Sequence, residues 1–354
     1  MAFLIAKPIA HVNFFFVHCC IDMQGRSYYT PVVKMKILFT DHDYLDVSLE
    51  RDIFHQAGME MLEAQCRTEQ EVIDAAHDCR ALLVQYAPVT DRVFAALPRV
   101  AICSRLGAGY DTIDAQAAAR HGVWVANSPD YGVGEVATHA LAMLLACIRN
   151  VVRYDRDIHE GRWHYTSAPK IPRASNLTLG ILGLGRIGKR FAHVARNLFG
   201  RVIAHDPYLI DGDFPAYVQP VSLDGLFEQA DAISIHCLLN DETRGMVGEA
   251  LLGKMKPGSY MVNTARGAVI DVNALAHALE LDKLAAVGLD VLPVEPIDAA
   301  SPLLTDPRVI LSPHAAFYSI EAEIELRRKA AMNIVNWMKT GRPDYPVVQG
   351  TRKP

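Results

Sequence analysis

Polar side chains follow three short apolar runs, each at the point where the run ends. Residues 259–263, 285–289 and 309–311 are typical of buried strands, because each run is short, apolar and bounded by turn residues. In an open parallel sheet, ligands bind outside the carboxyl ends of the strands, so the residues after these runs converge at one rim. An arginine, a carboxylate and a histidine can together bind an anion and transfer a proton. The side chains at this rim are Arg266, Asp290, Glu295 and His314.

A glycine-rich stretch predicts a site for a dinucleotide. An apolar run, residues 179–182, is followed by the spacing GxGxxG and then by apolar residues at helical spacing. Gly183 permits a tight turn, Gly185 lets the backbone approach a diphosphate, and Gly188 lets the helix pack on the strand. Asp206 ends the next strand, where a carboxylate accepts hydrogen bonds from a ribose 2′-hydroxyl and repels a 2′-phosphate. This order of elements predicts a Rossmann unit that favours NAD over NADP.

The composition is that of an ordinary globular protein. The chain has 354 residues, of which 51% are hydrophobic and 21% charged, enough for about two domains with cores of their own. The formal net charge of −5 provides no basic surface, so we expect no nucleic-acid partner. Seven cysteines without a CxxC pair argue against a zinc site or a disulfide framework. We therefore expect a cytoplasmic protein without a metal ion.

The first 34 residues differ in pattern from the rest of the chain. Pro8 and His11 interrupt their apolar run, and no A-x-A cleavage site follows. The run that starts at Met35 is the natural first strand of the fold. We expect residues 1–34 to be a dispensable extension or a mis-called start rather than a secretory signal. No run reaches the roughly 18 apolar residues of a membrane span, so no membrane association is expected.

Short apolar runs alternate with helical patterns from residue 35 onward. This alternation predicts an α/β protein with parallel sheets. A capping box at Thr68 and Glu71 marks the start of one helix. We expect two doubly wound parallel-sheet domains, a flavodoxin-like substrate domain and a Rossmann NAD-binding domain. The predicted divisions are residues 1–34 for the extension, 35–133 with 319–354 for the substrate domain, and 134–318 for the NAD-binding domain.

Two long helices are predicted where the chain passes between the domains. Residues 134–151 are apolar almost all round, so this helix is either a core helix or part of an interface between domains or subunits. Residues 320–340, with Gly341 as the C-cap, predict a helix of roughly 30 Å. A helix of that length can return the chain to the first domain.

Five motifs resemble those of a known enzyme family. They are GLGRIG at 183–188, Asp206, NTARG at 263–267, GLDV at 288–291 with EP at 295–296, and SPHAA at 312–316. In this order and spacing they resemble the NAD-dependent D-isomer-specific 2-hydroxyacid dehydrogenases, over residues 35 to about 348. The resemblance implies an oxidoreductase that interconverts a small D-2-hydroxy acid and its 2-keto acid by hydride transfer with NAD(H).

The resemblance also implies roles for individual residues. Arg266 would bind the substrate carboxylate and polarise the 2-keto group, since a guanidinium fork matches a planar anion. His314 would be the acid–base catalyst, because histidine exchanges a proton near neutral pH, and Glu295 would pair with it. The backbone amides of Gly107 and Ala108 would bind the carboxylate from the opposite wall.

Further positions are implied as contacts to the cofactor. Thr264 and Asp290 resemble contacts to the nicotinamide and its ribose. Cys237 lies beside the expected adenosine site, but no base is visible that could activate its thiol. The full set of expected NAD contacts is Gly183, Gly185, Arg186, Ile187, Gly188, Asp206, Cys237, Thr243, Thr264, Ala265, Arg266, Asp290, His314 and Ala316.

Local departures from the family pattern bear on the substrate. His236-Cys237-Leu238 stands where many relatives have His-x-Pro, and residues 84–86 lack the arginine that phosphoglycerate dehydrogenases use for phosphate. A 3-phosphoglycerate substrate is therefore not expected. The run HAAFYS at 314–319 most resembles the branch that contains the C-terminal-binding proteins, some of which sense NAD(H) and bind partner peptides. An NAD(H)-sensing binding module is accordingly the alternative to an enzyme. Because members of the family commonly form homodimers, the resemblance also implies a homodimer.

Overall fold

A computed structural model describes residues 18–21, 27–30 and 34–354 of the chain. The first two segments are antiparallel strands that pair with each other. Residues 1–17, 22–26 and 31–33 of the expected extension lie outside the described residues. That residues 1–34 are dispensable therefore stays a prediction.

The α/β pattern gives fifteen strands and eleven α-helices in the described residues, numbered in chain order. The strands are β1 (His18–Ile21), β2 (Ser27–Thr30), β3 (Lys36–Phe39), β4 (Glu60–Glu63), β5 (Ala81–Val84), β6 (Ile102–Arg105), β7 (Trp124–Ala126), β8 (Thr178–Leu182), β9 (Arg201–His205), β10 (Gln219–Pro220), β11 (Ala232–Ile235), β12 (Ser259–Asn263), β13 (Leu284–Leu289), β14 (Val309–Leu311) and β15 (Pro346–Val348). The helices are α1 (Ser48–Gln56), α2 (Glu69–Ala76), α3 (Asp91–Ala96), α4 (Ala115–Arg120), α5 (Val133–Arg149), α6 (Val151–His159), α7 (Arg186–Ala195), α8 (Leu223–Gln229), α9 (Glu249–Lys254), α10 (Val272–Glu280) and α11 (Ile320–Thr340).

Two sheets carry the fold, as the alternating pattern predicted. The six-stranded sheet has the order β15-β7-β6-β5-β3-β4, in which every neighbouring pair is parallel except β15 with β7. The seven-stranded sheet has the order β10-β9-β8-β11-β12-β13-β14 and is parallel throughout. The predicted fold class, two doubly wound parallel sheets, is confirmed, while the exact domain bounds stay a prediction.

The two long helices connect the sheets. One face of α5 is buried against the seven-stranded sheet and α7, as in a core helix, while Ala142 is exposed and Leu145 only partly buried. Helix α11 ends at Gly341 with φ of 78° and packs on the six-stranded sheet, where Ala330 and Trp337 are fully buried. The chain therefore crosses between the sheets twice, once before α5 and once before α11.

Besides β1 and β2, the sequence analysis missed three strands, which contacts distant in sequence decide, and one helix, α6. Strands β4, β10 and β15 lie at sheet edges and are two to four residues long, too short for a periodic pattern. The helix predicted over residues 134–151 ends at Arg149, since Asn150 adopts φ of 52° and breaks it from α6. Within the described residues no single helix is long and apolar enough to span a membrane, although the bent pair α5 and α6 passes on length and composition.

A buried ion pair fastens α11 to the first sheet's helices. The Glu50 carboxylate, fully buried in α1, accepts two hydrogen bonds of 2.7 Å from the Arg327 guanidinium. The same guanidinium lies over the ring of Tyr44 at 4.2 Å and bonds Glu323 one turn back on α11. The hydrogen bonds that Arg327 donates to Glu50 raise the pKa of Arg327, so this cation persists at any ordinary pH.

Removing one partner of this pair should be costly. We expect Arg327→Met to lower the free energy of unfolding by about 3–5 kcal/mol, because the Glu50 carboxylate is left buried and unpaired. Urea-induced unfolding measures the change. The double variant Glu50→Leu/Arg327→Met should recover most of it, and Arg51→Met, which breaks an exposed pair with Glu63, should cost less than about 1 kcal/mol. If Arg327→Met and Arg51→Met lowered the free energy of unfolding equally, the cost assigned to the buried pair would be wrong.

Candidate active site

The carboxyl ends of the two sheets face one another across a cavity of about 330 Å³. Residues after β6 line one wall, and residues after β11, β12, β13 and β14 line the other. The cavity is lined by Arg105, Ala108, Gly109, Tyr110, Asp111, Tyr131, Val136, Ile187, His236, Cys237, Leu238, Leu239, Asn240, Thr264, Ala265, Arg266, Asp290, His314, Ala316 and Phe317.

The glycine-rich turn after β8 has the shape that a dinucleotide requires. Gly183 has φ of 89°, and a Cβ there would lie 2.7 Å from the backbone nitrogen of Cys237. A Cβ on Gly188 would lie 2.1 Å from the carbonyl oxygen of Gly183. Gly185 instead faces open space at the start of α7, where a Cβ would occupy the approach to the helix N-terminus. These residues fit a diphosphate held by the amides of that terminus.

Asp206 lies directly after β9, beside this turn. One of its carboxylate oxygens accepts a hydrogen bond of 2.8 Å from the Leu184 amide, and the other accepts one of 3.0 Å from the Tyr208 amide. The carboxylate therefore also holds the glycine turn in place. Its position at the strand end is the one from which a carboxylate reaches an adenosine ribose.

The NTARG motif folds into a loop that presents Arg266 to the cavity. The fully buried Asn263 side chain accepts from the Ala265 amide at 2.9 Å and donates to the Arg266 carbonyl at 2.9 Å. A Cβ on Gly267 would lie 1.9 Å from the backbone of Leu292, so only glycine fits there. The Thr264 hydroxyl is buried without a protein partner in the described residues, and it lines the cavity as an open donor.

A second arginine, Arg105, shares the cavity with Arg266. It ends β6, and its Nε is buried without a partner in the part of the chain described here. Burial, followed by the nearby Arg266 charge, lowers the pKa of Arg105. The turn after β6 makes room for both guanidinium groups, since a Cβ on Gly107 would strike Arg105 and one on Gly109 would strike Arg266. The cavity is therefore a built site for an anion.

Arg266 is also joined to the opposite wall. Its Nε donates to the Asp111 carboxylate at 3.0 Å, and a terminal nitrogen donates to the Ala265 carbonyl at 2.8 Å. Burial works to raise the pKa of Asp111, but the neighbouring Arg266 outweighs it and the net shift is downward. One of the two arginine charges is thus balanced within the cavity, and the other is available to a ligand.

His314 and Glu295 form a pair at the same rim. The Nδ1 atom of His314 lies 2.7 Å from a Glu295 carboxylate oxygen, and the other oxygen accepts from the Leu292 amide at 2.8 Å. Burial acts to raise the pKa of Glu295, but the hydrogen bonds from His314 and Leu292 lower it overall. Glu295 is therefore ionised near neutral pH, and it leaves the other ring nitrogen of His314 free for a substrate.

Asp290 holds the loop that carries His314. Its carboxylate accepts from the Ser312 hydroxyl at 2.6 Å and from the amides of Ala315 and Ala316 at 2.9 and 3.0 Å. Its carbonyl accepts from the His314 amide at 2.8 Å. His314 has φ of 52°, a left-handed conformation that costs a residue with a side chain roughly 1–2 kcal/mol. Such a conformation persists where its surroundings over-determine it.

Two residues at the end of β11 are held uncharged. Burial lowers the pKa of His236 to about 3, and its Nε2 lies 2.8 Å from the Ser234 hydroxyl. Burial raises the pKa of the Cys237 thiol to about 11. Neither side chain can act as an acid–base group or nucleophile near neutral pH, which agrees with the expectation that Cys237 contributes only a contact.

The structure brings most, though not all, of the expected site residues to the cavity. Thr243 does not line it, and its hydroxyl donates to the Leu238 carbonyl at 2.7 Å, so its expected contact with the cofactor stays a prediction. The Gly107 amide already donates to the Arg105 carbonyl at 3.1 Å, so its predicted bond to a carboxylate stays a prediction. Arg105 and Asp111 were missed by the sequence analysis. An arginine at the end of an apolar run was the available signal for Arg105.

Comparison with known proteins identifies the family. Residues 141–316 match the model of the D-isomer specific 2-hydroxyacid dehydrogenase NAD binding domain. The chain is 36% identical to a glyoxylate reductase of Korarchaeum cryptofilum over 80% of its own length and 86% of that protein, and 33% identical to a hydroxypyruvate reductase of Blautia hydrogenotrophica over 76% and 85%. A crystal structure of a glyoxylate reductase from Paecilomyes thermophila superimposes with a TM-score of 0.81 at 29% identity, over 89% of this chain and 98% of that one. The chain belongs to the D-isomer specific 2-hydroxyacid dehydrogenases, NAD-dependent oxidoreductases that act on the CH–OH group of hydroxy acids.

Proposed function

We propose that this protein reduces a small 2-keto acid to its D-2-hydroxy acid with NADH, or carries out the reverse reaction, with His314 as the acid–base catalyst. The observation that carries the proposal is the His314–Glu295 pair, 2.7 Å apart, at a rim that also presents Arg105 and Arg266. One cavity thus holds a proton donor and an excess of positive charge beside the dinucleotide turn. A site that reduces a 2-keto acid needs both, because the carboxylate must be bound and the keto oxygen must be protonated as the hydride arrives.

The two arginines bind and orient the substrate. A carboxylate can accept paired hydrogen bonds from a guanidinium fork, and the interaction is strong where water is displaced. Arg266 is held at its stem by Asp111 and Ala265, so its position is set before the substrate arrives. Arg105 supplies the unbalanced charge that favours an anion. This arrangement brings the C2 carbonyl toward His314.

His314 moves the proton. Its Nδ1 faces the ionised Glu295 carboxylate, which fixes the ring so that Nε2 can donate a proton to the substrate carbonyl oxygen during reduction. In the oxidation direction the neutral ring takes the hydroxyl proton. The bound nicotinamide supplies or accepts the hydride at C2. The amides at the start of α7, the Asp206 carboxylate and the Thr264 hydroxyl would hold that cofactor.

The substrate's side chain has space on the far side of His314. A second cavity of about 960 Å³ is lined by His314 and Glu295, by aromatic and aliphatic groups such as Tyr86, Phe317 and Leu304, and by the charged side chains of Asp43 and Arg67. A bare glyoxylate would leave this space unused. We extend the proposal to 2-keto acids whose C3 substituent is apolar.

The homodimer expected from the resemblance stays a prediction. One face of helix α5 is buried within its own chain, while Thr138, Ala142 and Arg149 on its other face are exposed. Trp163 and Tyr165 are 84% and 80% exposed beside α6, and we would place a dimer contact there. A closer relation to the C-terminal-binding-protein branch, and a role in sensing NAD(H), also stay predictions.

The first test is NADH oxidation against a panel of 2-keto acids, from glyoxylate and pyruvate to phenylpyruvate and branched aliphatic acids. We expect turnover, with kcat/KM rising toward the bulkier acids. His314→Ala should lower kcat by roughly 10²–10⁴-fold, because the proton donor is lost, while the NADH dissociation constant changes little. Fluorescence titration measures the latter. Tight NADH binding without turnover of any acid would favour the NAD(H)-sensing module instead.

The charge of Glu295 should be visible in the pH profile. Reduction needs protonated His314, and the depressed pKa of Glu295 keeps its charge present throughout the neutral range. Glu295→Gln removes that charge with little change in shape, so the pH at which kcat/KM for reduction falls off should move lower. The exposed Glu280→Gln is the control, and it should leave the profile in place. An unmoved profile for Glu295→Gln would contradict the pairing.

Asp206 should govern the choice between NADH and NADPH. Asp206→Ala removes the charge that repels a 2′-phosphate, so the ratio of kcat/KM values for NADH over NADPH should fall by at least about tenfold. Affinity for NADH itself should also weaken, because the Leu184 amide loses its acceptor. The matched control is Asp241→Ala, which removes an exposed carboxylate from a neighbouring turn. If the NADH over NADPH ratio fell equally in Asp206→Ala and Asp241→Ala, the cause would be the change in net charge and not the position of Asp206.

A further inference from the structure

One face of α5 presents side chains at successive turns to the chain that carries His314. Glu135 Oε1 accepts from the Ser319 hydroxyl at 3.1 Å. One turn further, His139 Nε2 lies 3.0 Å from Ser312 Oγ and 3.6 Å from Asp290 Oδ1. Spacings of four residues place such side chains on the same helix face. The segment 312–319 is therefore bonded to α5 near both of its ends.

The contact with His139 reaches the buried carboxylate that shapes the catalytic loop. The Ser312 hydroxyl donates to Asp290, so its lone pairs remain to accept from an Nε2–H of His139. The Asp290 side chain is only 1% exposed, and His139 is the one basic side chain within 4.0 Å of its carboxylate in the described part of the chain. Asp290 in turn holds the amides of His314, Ala315 and Ala316.

We propose that His139 is a positioning residue for the acid–base step. Its Nε2–H orients the Ser312 hydroxyl, and that hydroxyl orients the Asp290 carboxylate. The carboxylate holds the amides of Ala315 and Ala316, the two residues that follow the left-handed His314. The inference rests on the proposed role of His314 and adds a residue that touches neither substrate nor cofactor. Because a left-handed histidine is strained, the loop depends on every bond that over-determines it.

The location of His139 gives this chain of hydrogen bonds a second effect. Helix α5 begins where the chain first crosses between the sheets, and Ser319 caps α11 where it crosses back. Glu135 and His139 fasten these two crossings together beside the catalytic loop. His314 is thereby tied to a helix that packs on the seven-stranded sheet.

Three variants of α5 test the proposal. His139→Leu removes the donor, His139→Gln retains an N–H at a similar reach, and Thr138→Ala alters a neighbouring exposed residue whose hydroxyl bonds only its own helix. We expect His139→Leu to lower kcat about 10- to 100-fold, since small misplacements of a catalytic group cost that much, with the NADH dissociation constant within twofold. His139→Gln should return kcat to within about threefold of the wild type, and Thr138→Ala should leave it unchanged.

A spectroscopic readout separates this inference from the proposed reaction. The Cε1–H resonance of His314, identified by its absence in His314→Gln, should shift in His139→Leu and return in His139→Gln. If the wild type turns over no 2-keto acid but these shifts occur, the proposed function fails and the positioning role stands. If the resonance and kcat are unaffected by His139→Leu, or if glutamine is no better than leucine, the positioning role is overturned.

Discussion

Two guanidinium charges lie in one cavity, and the residues around them are arranged to accommodate that repulsion. Arg105 and Arg266 face each other across the junction of the sheets, and the pKa of Arg105 is lowered by burial and by its neighbour. Such an arrangement is unfavourable unless anions complete it, and Asp111 completes only half. The glycines at 107 and 109 follow from the same constraint, because side chains there would occupy the volume of the guanidinium groups. The cavity is thus arranged for a carboxylate before one arrives.

Sheet topology brings these charges together. Arg105 ends a strand of one sheet and Arg266 follows a strand of the other, and both strand ends point into the same cleft. Parallel sheets place all their carboxyl ends at one edge, so two facing sheets can assemble a site from many loops. The dinucleotide turn after β8, the Asn263-bonded loop after β12 and the Asp290-bonded loop around His314 are the parts contributed by the larger sheet. Each loop is held by a polar side chain, which is buried for Asn263 and Asp290 and half-buried for Asp206 at the dinucleotide turn.

Local chemistry made much of this fold predictable. The glycine turn, the NTARG loop and the Thr68 cap depend on residues within a few positions of one another, and the structure has each where the sequence placed it. Arg105 was missed because it is the last residue of an apolar strand. Its role becomes visible only when the fold brings Arg266 into the same cavity. Strand β4, with the sequence EMLE, has no strand pattern and exists because β3 offers an unpaired edge. The link from His139 to Asp290 joins residues 151 positions apart, which no local pattern could indicate.

The return of the chain to its first sheet has a consequence for how the protein is made. Strand β15 pairs with β7, and α11 fills the core beneath β5 and β6, so residues 320–348 complete a sheet that begins near residue 36. The seven-stranded sheet is built from one continuous stretch and needs nothing from the ends of the chain. During synthesis the ribosome releases that stretch whole while the first sheet still lacks its last helix and edge strand. Domains emerging from the ribosome fold as units, so the cofactor half would mature before the half that was translated first.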